Sequence, residues 1–139
     1  SIEEQILILL EDLQKEFGLT YLFISHDLSV VEHIANTVGV MYLGEMVEYG
    51  SKEDIFARPL HPYTRALFSA IPAQNPVTSG ERIILKGGLP SAANPPSGCK
   101  FHTRCSACME VCKREAPKLY DAGNEHSVFC HLYGREANK

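Results

Sequence analysis

Cys99, Cys105, Cys108, Cys112 and Cys130 are the only cysteines of this 139-residue chain, and all fall in its last third. Thiols this dense either close disulfides or hold a metal. The stretch from 87 to 134 is poor in large apolar side chains and rich in glycine, proline and polar groups. A segment of that composition buries little core, so a metal or a crosslink has to supply folding free energy. The start of the chain bears on which one. It is acidic (Glu3, Glu4), and the apolar run Ile6 to Leu10 is too short to span a bilayer,. No secretory leader is visible, so a cytosolic location is expected. Thiols stay reduced there, which favours a metal over disulfides.

Four thiolates surround either a tetrahedral zinc or a cubane iron–sulfur cluster. The spacing is Cys99-x5-Cys105-x6-Cys112, with Cys130 after seventeen intervening residues. A zinc ribbon prefers two C-x2-C knuckles, and the only one here, Cys105-x2-Cys108, needs the fifth cysteine. The uneven spacing with a remote fourth ligand suits a [4Fe-4S] cluster better, with zinc as the alternative. Cys108 is left as a spare thiol, a replacement ligand, an oxidation site or a buried small hydrophobe. His102, His126 and His131 flank the cysteines, but histidines in loops usually cap turns or bond a carbonyl.

Elsewhere the pattern is α/β. Ile2, Ile6, Leu9, Leu10, Leu13 and Phe17 recur at helical spacing, with capping-box residues Ser1 and Glu4 ahead and Gly18 behind,. Thr20 to Ser25 is an unalternating run of β-formers, as expected of a strand buried on both faces. Asp27 can cap a helix reaching about Ala35. Thr37 to Leu43 reads as a strand, Gly44 as a turn, and Glu45 to Tyr49 as a hairpin partner. Ser51 and His61-Pro62 each open a helix, the second running to about Ile71. Five prolines between Pro72 and Gly98 then mark a linker,. The predicted division is an α/β part over 1–72, a Pro/Gly-rich linker over 73–98 and an irregular cysteine-rich extension over 99–139. With a net charge of −4 and scattered basic residues, the chain lacks the footprint of a nucleic-acid binder.

Strand, Ser25-His26-Asp27, helix would place His26 at the carboxyl end of a strand, the edge where open α/β sheets bind ligands. The residues Leu22 to Leu28 resemble the switch-histidine loop of ABC transporter ATPases, and Val40 to Gly50 resembles the hairpin that follows it. His61-Pro62-Tyr63-Thr64-Arg65-Ala66-Leu67 is similar to a stretch typical of the oligopeptide and dipeptide permease ATP-binding subunits. Asn94-Pro95-Pro96-Ser97-Gly98-Cys99 and Phe101-His102-Thr103-Arg104-Cys105 resemble the C-terminal extension of that branch. The resemblance implies that catalytic His26 positions the γ-phosphate of ATP and the attacking water, with Asp27 beside it at the nucleotide. It also points to iron–sulfur, with Cys99, Cys105, Cys112 and Cys130 as the metal ligands, since those four follow the cysteine pattern of that branch and Cys108 departs from it. The implied partners are transmembrane permease subunits, a second ATPase subunit and an extracytoplasmic peptide-binding protein, with the chain on the inner face of the cell membrane.

The chain has no G-x-x-x-x-G-K-[ST] phosphate cradle (Walker A), no Leu-Ser-Gly-Gly-Gln signature and no apolar run ending in Asp-Glu (Walker B),. In the family these precede the switch histidine. The expectation is a C-terminal piece of a longer ATPase, inactive alone, whose parent binds ATP and Mg. Apolar strands missing their sheet neighbours would then make the isolated chain self-associate. The alternative is a stand-alone metal-binding or subunit-docking module without ATPase activity.

Overall fold

The structure is a computed structural model that describes residues 1–71 and 81–134. Part of the expected linker, 72–80, and the last residues of the expected extension, 135–139, lie outside the described residues. Two compact units divide the chain, Ser1–Asn36 and Thr37–Lys139.

In the first unit, α1 spans Ile2–Phe17 and α2 spans Leu28–Ile34. Both begin where a short polar side chain satisfies free backbone amides. Ser1 accepts from the Glu4 N–H and closes a capping box, and Gly18 ends α1 in the left-handed conformation at φ 64°. Asp27 accepts from the Ser29 and Val30 amides and so starts α2. The tyrosine hydroxyl of Tyr21 donates to the Leu10 carbonyl at 2.8 Å. The expected strand at Thr20 to Ser25 is not formed. A run apolar on both faces needs strands on each side of it, and every strand among the described residues lies beyond Asn36. Leu22 and Ile24 are left 92% and 89% exposed.

The second unit is built on one four-stranded antiparallel sheet in the order β1-β2-β4-β3,. β1 is Thr37–Tyr42, β2 Glu45–Ser51, β3 Leu119–Asp121 and β4 Ser127–Phe129. Leu43 and Gly44 both take positive φ, 46° and 78°. That is the two-residue turn whose twist matches a hairpin. Val38, Val40 and Tyr42 alternate inward along β1. In β2 the alternation breaks, because the register shifts between Val40 and Met41 and leaves Val47 without an opposite residue. A bulge of this kind re-aims side chains, and here it turns Val47 and Glu48 both to the buried side.

Ser51 caps α3, Lys52–Ala57. His61 caps α4, Pro62–Ser69, its ring nitrogen accepting from the Tyr63 amide at 3.0 Å. Phe101 is the centre of an aromatic cluster, with ring centroids 5.2 Å from Tyr42, 5.6 Å from His61 and 5.4 Å from Tyr63. The region from Cys99 is more regular than expected. It contains a short 3-10 turn at His102–Arg104, the helix α5 at Glu110–Arg114, and the β3–β4 pair. β4 pairs with β2 at Glu48↔Val128 and Tyr49↔Ser127, so the cysteine-rich region extends the sheet begun by the hairpin.

Candidate functional site

His26 and Asp27 sit at the head of α2. Ser25 Oγ accepts from the Asp27 N–H at 3.0 Å, and Asp27 Oδ1 accepts from Ser29 at 3.0 Å and Val30 at 3.4 Å. The Asp27 carboxylate therefore fixes the bend that carries His26, and the His26 ring is exposed.

The cysteines are drawn in from four places: the turn after Gly98, the end of the 3-10 turn, α5, and the end of β4. The Cys99 N–H donates to the Cys112 carbonyl at 2.8 Å. Gly98, at φ 69°, lies so close to the Cys112 carbonyl that a Cβ would collide with it. The Met109 N–H donates to Cys112 Sγ at 3.4 Å. Burial raises the pKa of the Cys99 and Cys105 thiols and pushes Cys130 up to about 11, and neighbouring thiols add to the rise in each case. For Cys130 those neighbours are Cys99, Cys105 and Cys112. All five cysteines are free thiols. Among the described residues no group of three or more His, Cys, Asp or Glu side chains stands in a geometry that holds an ion as it is. The four thiols are clustered but not closed on a centre.

The three flanking histidines are each engaged elsewhere. His102 Nδ1 meets the Cys99 carbonyl at 2.8 Å and His131 Nε2 the Glu115 carbonyl at 2.8 Å. His126 belongs to a centre that the residue pattern does not reveal. Its Nε2 lies 2.7 Å from Glu48 Oε1, and both side chains are 0% exposed. Glu48 also accepts from the Leu60 N–H at 2.8 Å and the His61 N–H at 2.9 Å. One carboxylate thus ties β2, the segment before α4, and the residue leading into β4. A buried carboxylate is stable only with several such donors. With Nε2 donating to Glu48, His126 Nδ1 is a buried atom without a partner among the described residues. A second tie runs alongside: Arg65 donates to the Pro59 carbonyl at 2.9 Å and to Tyr133 Oη at 3.1 Å, and Tyr133 Oη donates to the Leu60 carbonyl at 2.5 Å. Tyr63 packs its ring 4.7 Å from Tyr42. No local signal marks Glu48 for burial, since the bulge that turns it inward arises from the pairing with β1.

Residues 47–112 match the profile of a family described as the oligopeptide/dipeptide transporter, C-terminal region. The chain is 56% identical over 135 residues to the oligopeptide transport ATP-binding protein AppF of Bacillus subtilis, covering 96% of this chain and 41% of that protein. It is 53% identical over 130 residues to a putative peptide import ATP-binding protein of Brucella ovis, covering 94% of this chain and 41% of that one. A third relative, the putative oligopeptide transport ATP-binding protein YkfD of Bacillus subtilis, is 50% identical over 141 residues, with 100% and 43% covered. The chain belongs to this family of transporter ATP-binding subunits and carries its C-terminal region. It spans about two fifths of the length of these curated relatives. Among the described residues no helix is long and apolar enough to cross a membrane.

Proposed function

We propose that this chain is the rear part of the ATP-hydrolysing subunit that powers peptide import by an ABC transporter. The observation that carries the reading is the identity to peptide-import ATP-binding proteins along nearly the whole chain. In that role His26, presented on the bend that Asp27 fixes, holds the γ-phosphate and the attacking water. The phosphate cradle, signature and magnesium carboxylate come from residues other than these, so ATP and Mg bind only to the parent subunit. Its partners are transmembrane permease subunits and a second ATPase subunit, and it works on the cytoplasmic face of the membrane. The test is a chimera in which residues 1–139 replace the matching part of AppF. We expect ATP turnover to persist in the chimera and to fall about 100-fold with His26→Ala. Turnover untouched by His26→Ala would refute the role.

Cys99, Cys105, Cys112 and Cys130 hold a [4Fe-4S] cluster, with zinc as the alternative. What supports the reading is the donor chemistry: four thiols carried on neighbouring segments are the set that either group takes,. Bound there, either group would crosslink the turn after Gly98, α5 and β4, supplying folding free energy that the thin core lacks. Iron, sulfide and zinc analysis of anaerobically purified protein, with Cys130→Ser as control, tests it. Absence of all metals from the folded, reduced protein would refute it. A stand-alone thiol module without ATPase activity is the second reading. It is favoured by the compactness of Thr37–Lys139 as a unit of its own.

A further inference from the structure

We propose that Tyr21 and the Glu11–His33 pair are positioning residues for His26, fastening both ends of the segment that carries it to one turn of α1. Their part rests on the role proposed above for His26. Tyr21 Oη donates to the Leu10 carbonyl at 2.8 Å. His33 Nε2 lies 3.1 Å from Glu11 Oε1. Leu10 and Glu11 are consecutive residues of α1. The chain therefore leaves α1 at Gly18, is tied back at Tyr21, passes through His26, and is tied back again at His33 to the next residue of the same turn.

Between the two ties, residues 22–26 are exposed and form neither helix nor strand. The Asp27 carboxylate shapes the bend, but its bonds run only to Ser29 and Val30, and the Ser25 hydroxyl bonds only to Asp27. These local bonds fix the form of the bend and not where it stands against α1. Among the described residues, the side-chain hydrogen bonds and ion pairs that reach α1 from 19–36 are those of Tyr21 and His33. Their base is firm, because α1 is closed by a capping box at Ser1 and by the left-handed Gly18. A segment held at one end only swings about that end. Phosphoryl transfer is catalysed mostly by placement, and a group displaced by about 1 Å loses about 100-fold in rate. The His33 and Glu11 side chains are 56% and 35% exposed. An ion pair so wet adds little stability, so its loss is felt at His26 rather than in the melt. Tyr21, Glu11 and His33 touch no nucleotide in this role; they act through the imidazole they place.

The test uses the AppF chimera described above. Tyr21→Phe and Glu11→Ala should each lower kcat for ATP about fivefold while KM stays within about twofold. Glu11→Gln keeps an oxygen that accepts from His33 Nε2, and should hold kcat within about twofold of the parent. Melting temperatures should stay within about 4 °C. The same substitutions are then made on His26→Ala. Residues that act through His26 have nothing left to place there, so the residual turnover should fall no further. The same fall persisting in that background overturns the proposal. Unchanged kcat in both Tyr21→Phe and Glu11→Ala overturns it too, as does a rise in KM alone. His26→Ala by itself separates the two claims. If it silences the chimera while the α1 ties prove inert, the role of His26 stands and that of the ties falls. If it leaves turnover untouched, both fall.

Discussion

Replacing Glu48 by alanine should unfold or nearly unfold the Thr37–Lys139 unit. The carboxylate is fully buried and accepts three hydrogen bonds, from the Leu60 and His61 amides and from His126. Removal leaves three polar groups in a dry interior, each costing about 1–3 kcal/mol when unpaired. The costs do not simply add, because the segment before α4 can relax toward solvent, so the expected loss is about 3–5 kcal/mol. That is a large share of the roughly 5–15 kcal/mol by which a domain is stable. Glu48→Gln separates charge from shape. Its single carbonyl can replace Oε1, which serves Leu60 and His126. Its NH₂ would then face the His61 N–H donor to donor, a loss of about 1–3 kcal/mol. Urea titration followed by tyrosine fluorescence and circular dichroism reads both variants, with the midpoint shifting and the slope unchanged. An alanine variant within about 1 kcal/mol of the parent would refute the view that this carboxylate ties the cysteine region to the hairpin.

Stability should also fall with acid through His61. Burial lowers its pKa to about 4 from 6.5, with Glu48 opposing the shift. A depressed histidine pKa means that the unfolded chain takes up the proton first. The stabilisation is therefore complete above pH 6.5 and is lost as pH falls from there to about 4, a span worth roughly 3 kcal/mol,. Melting temperatures measured across that range should drop, and His61→Asn, which keeps a cap acceptor, should flatten the profile. Gly98→Ala should cost at least about 2 kcal/mol, since the residue sits at positive φ against the Cys112 carbonyl,; a thermal melt unchanged from the parent would contradict the close approach. Tyr133→Phe, which loses the bonds to Leu60 and Arg65, should cost about 1 kcal/mol in urea. The isolated chain should self-associate through the exposed Ile2, Leu22, Phe23 and Ile24 side chains,, and a monomer at high concentration in sedimentation would exclude this.

The local signals in the sequence carry over well. Ser1, Gly18, Asp27, Ser51 and His61-Pro62 bound helices as read, because caps act through backbone amides within three residues,. The Leu43-Gly44 turn is legible for the same reason. Thr20 to Ser25 misleads because the run is written for neighbours on both faces that the described residues do not contain. β3 and β4 are three residues each, too short for any period to register, and they exist because β2 offers them an edge. The cysteine spacing is legible too, but among the described residues no group of three or more His, Cys, Asp or Glu side chains is arranged to hold an ion. The Glu48–His126 pair, 78 residues apart, depends on a bulge and a strand pairing that no local pattern encodes.

The profile shared across the family stops at Cys112, yet the outer amides of β2 are taken up by β4, which begins at Ser127. The recurring segment and the folding unit are therefore different lengths of chain. A truncation made at the profile's end would strip off the hairpin that seals β2, orphan Glu48 from His126, and leave a bare strand rim ready to zip onto another molecule. Whoever trims this protein to its shared region should expect fibres or inclusion bodies rather than a smaller version of the same domain.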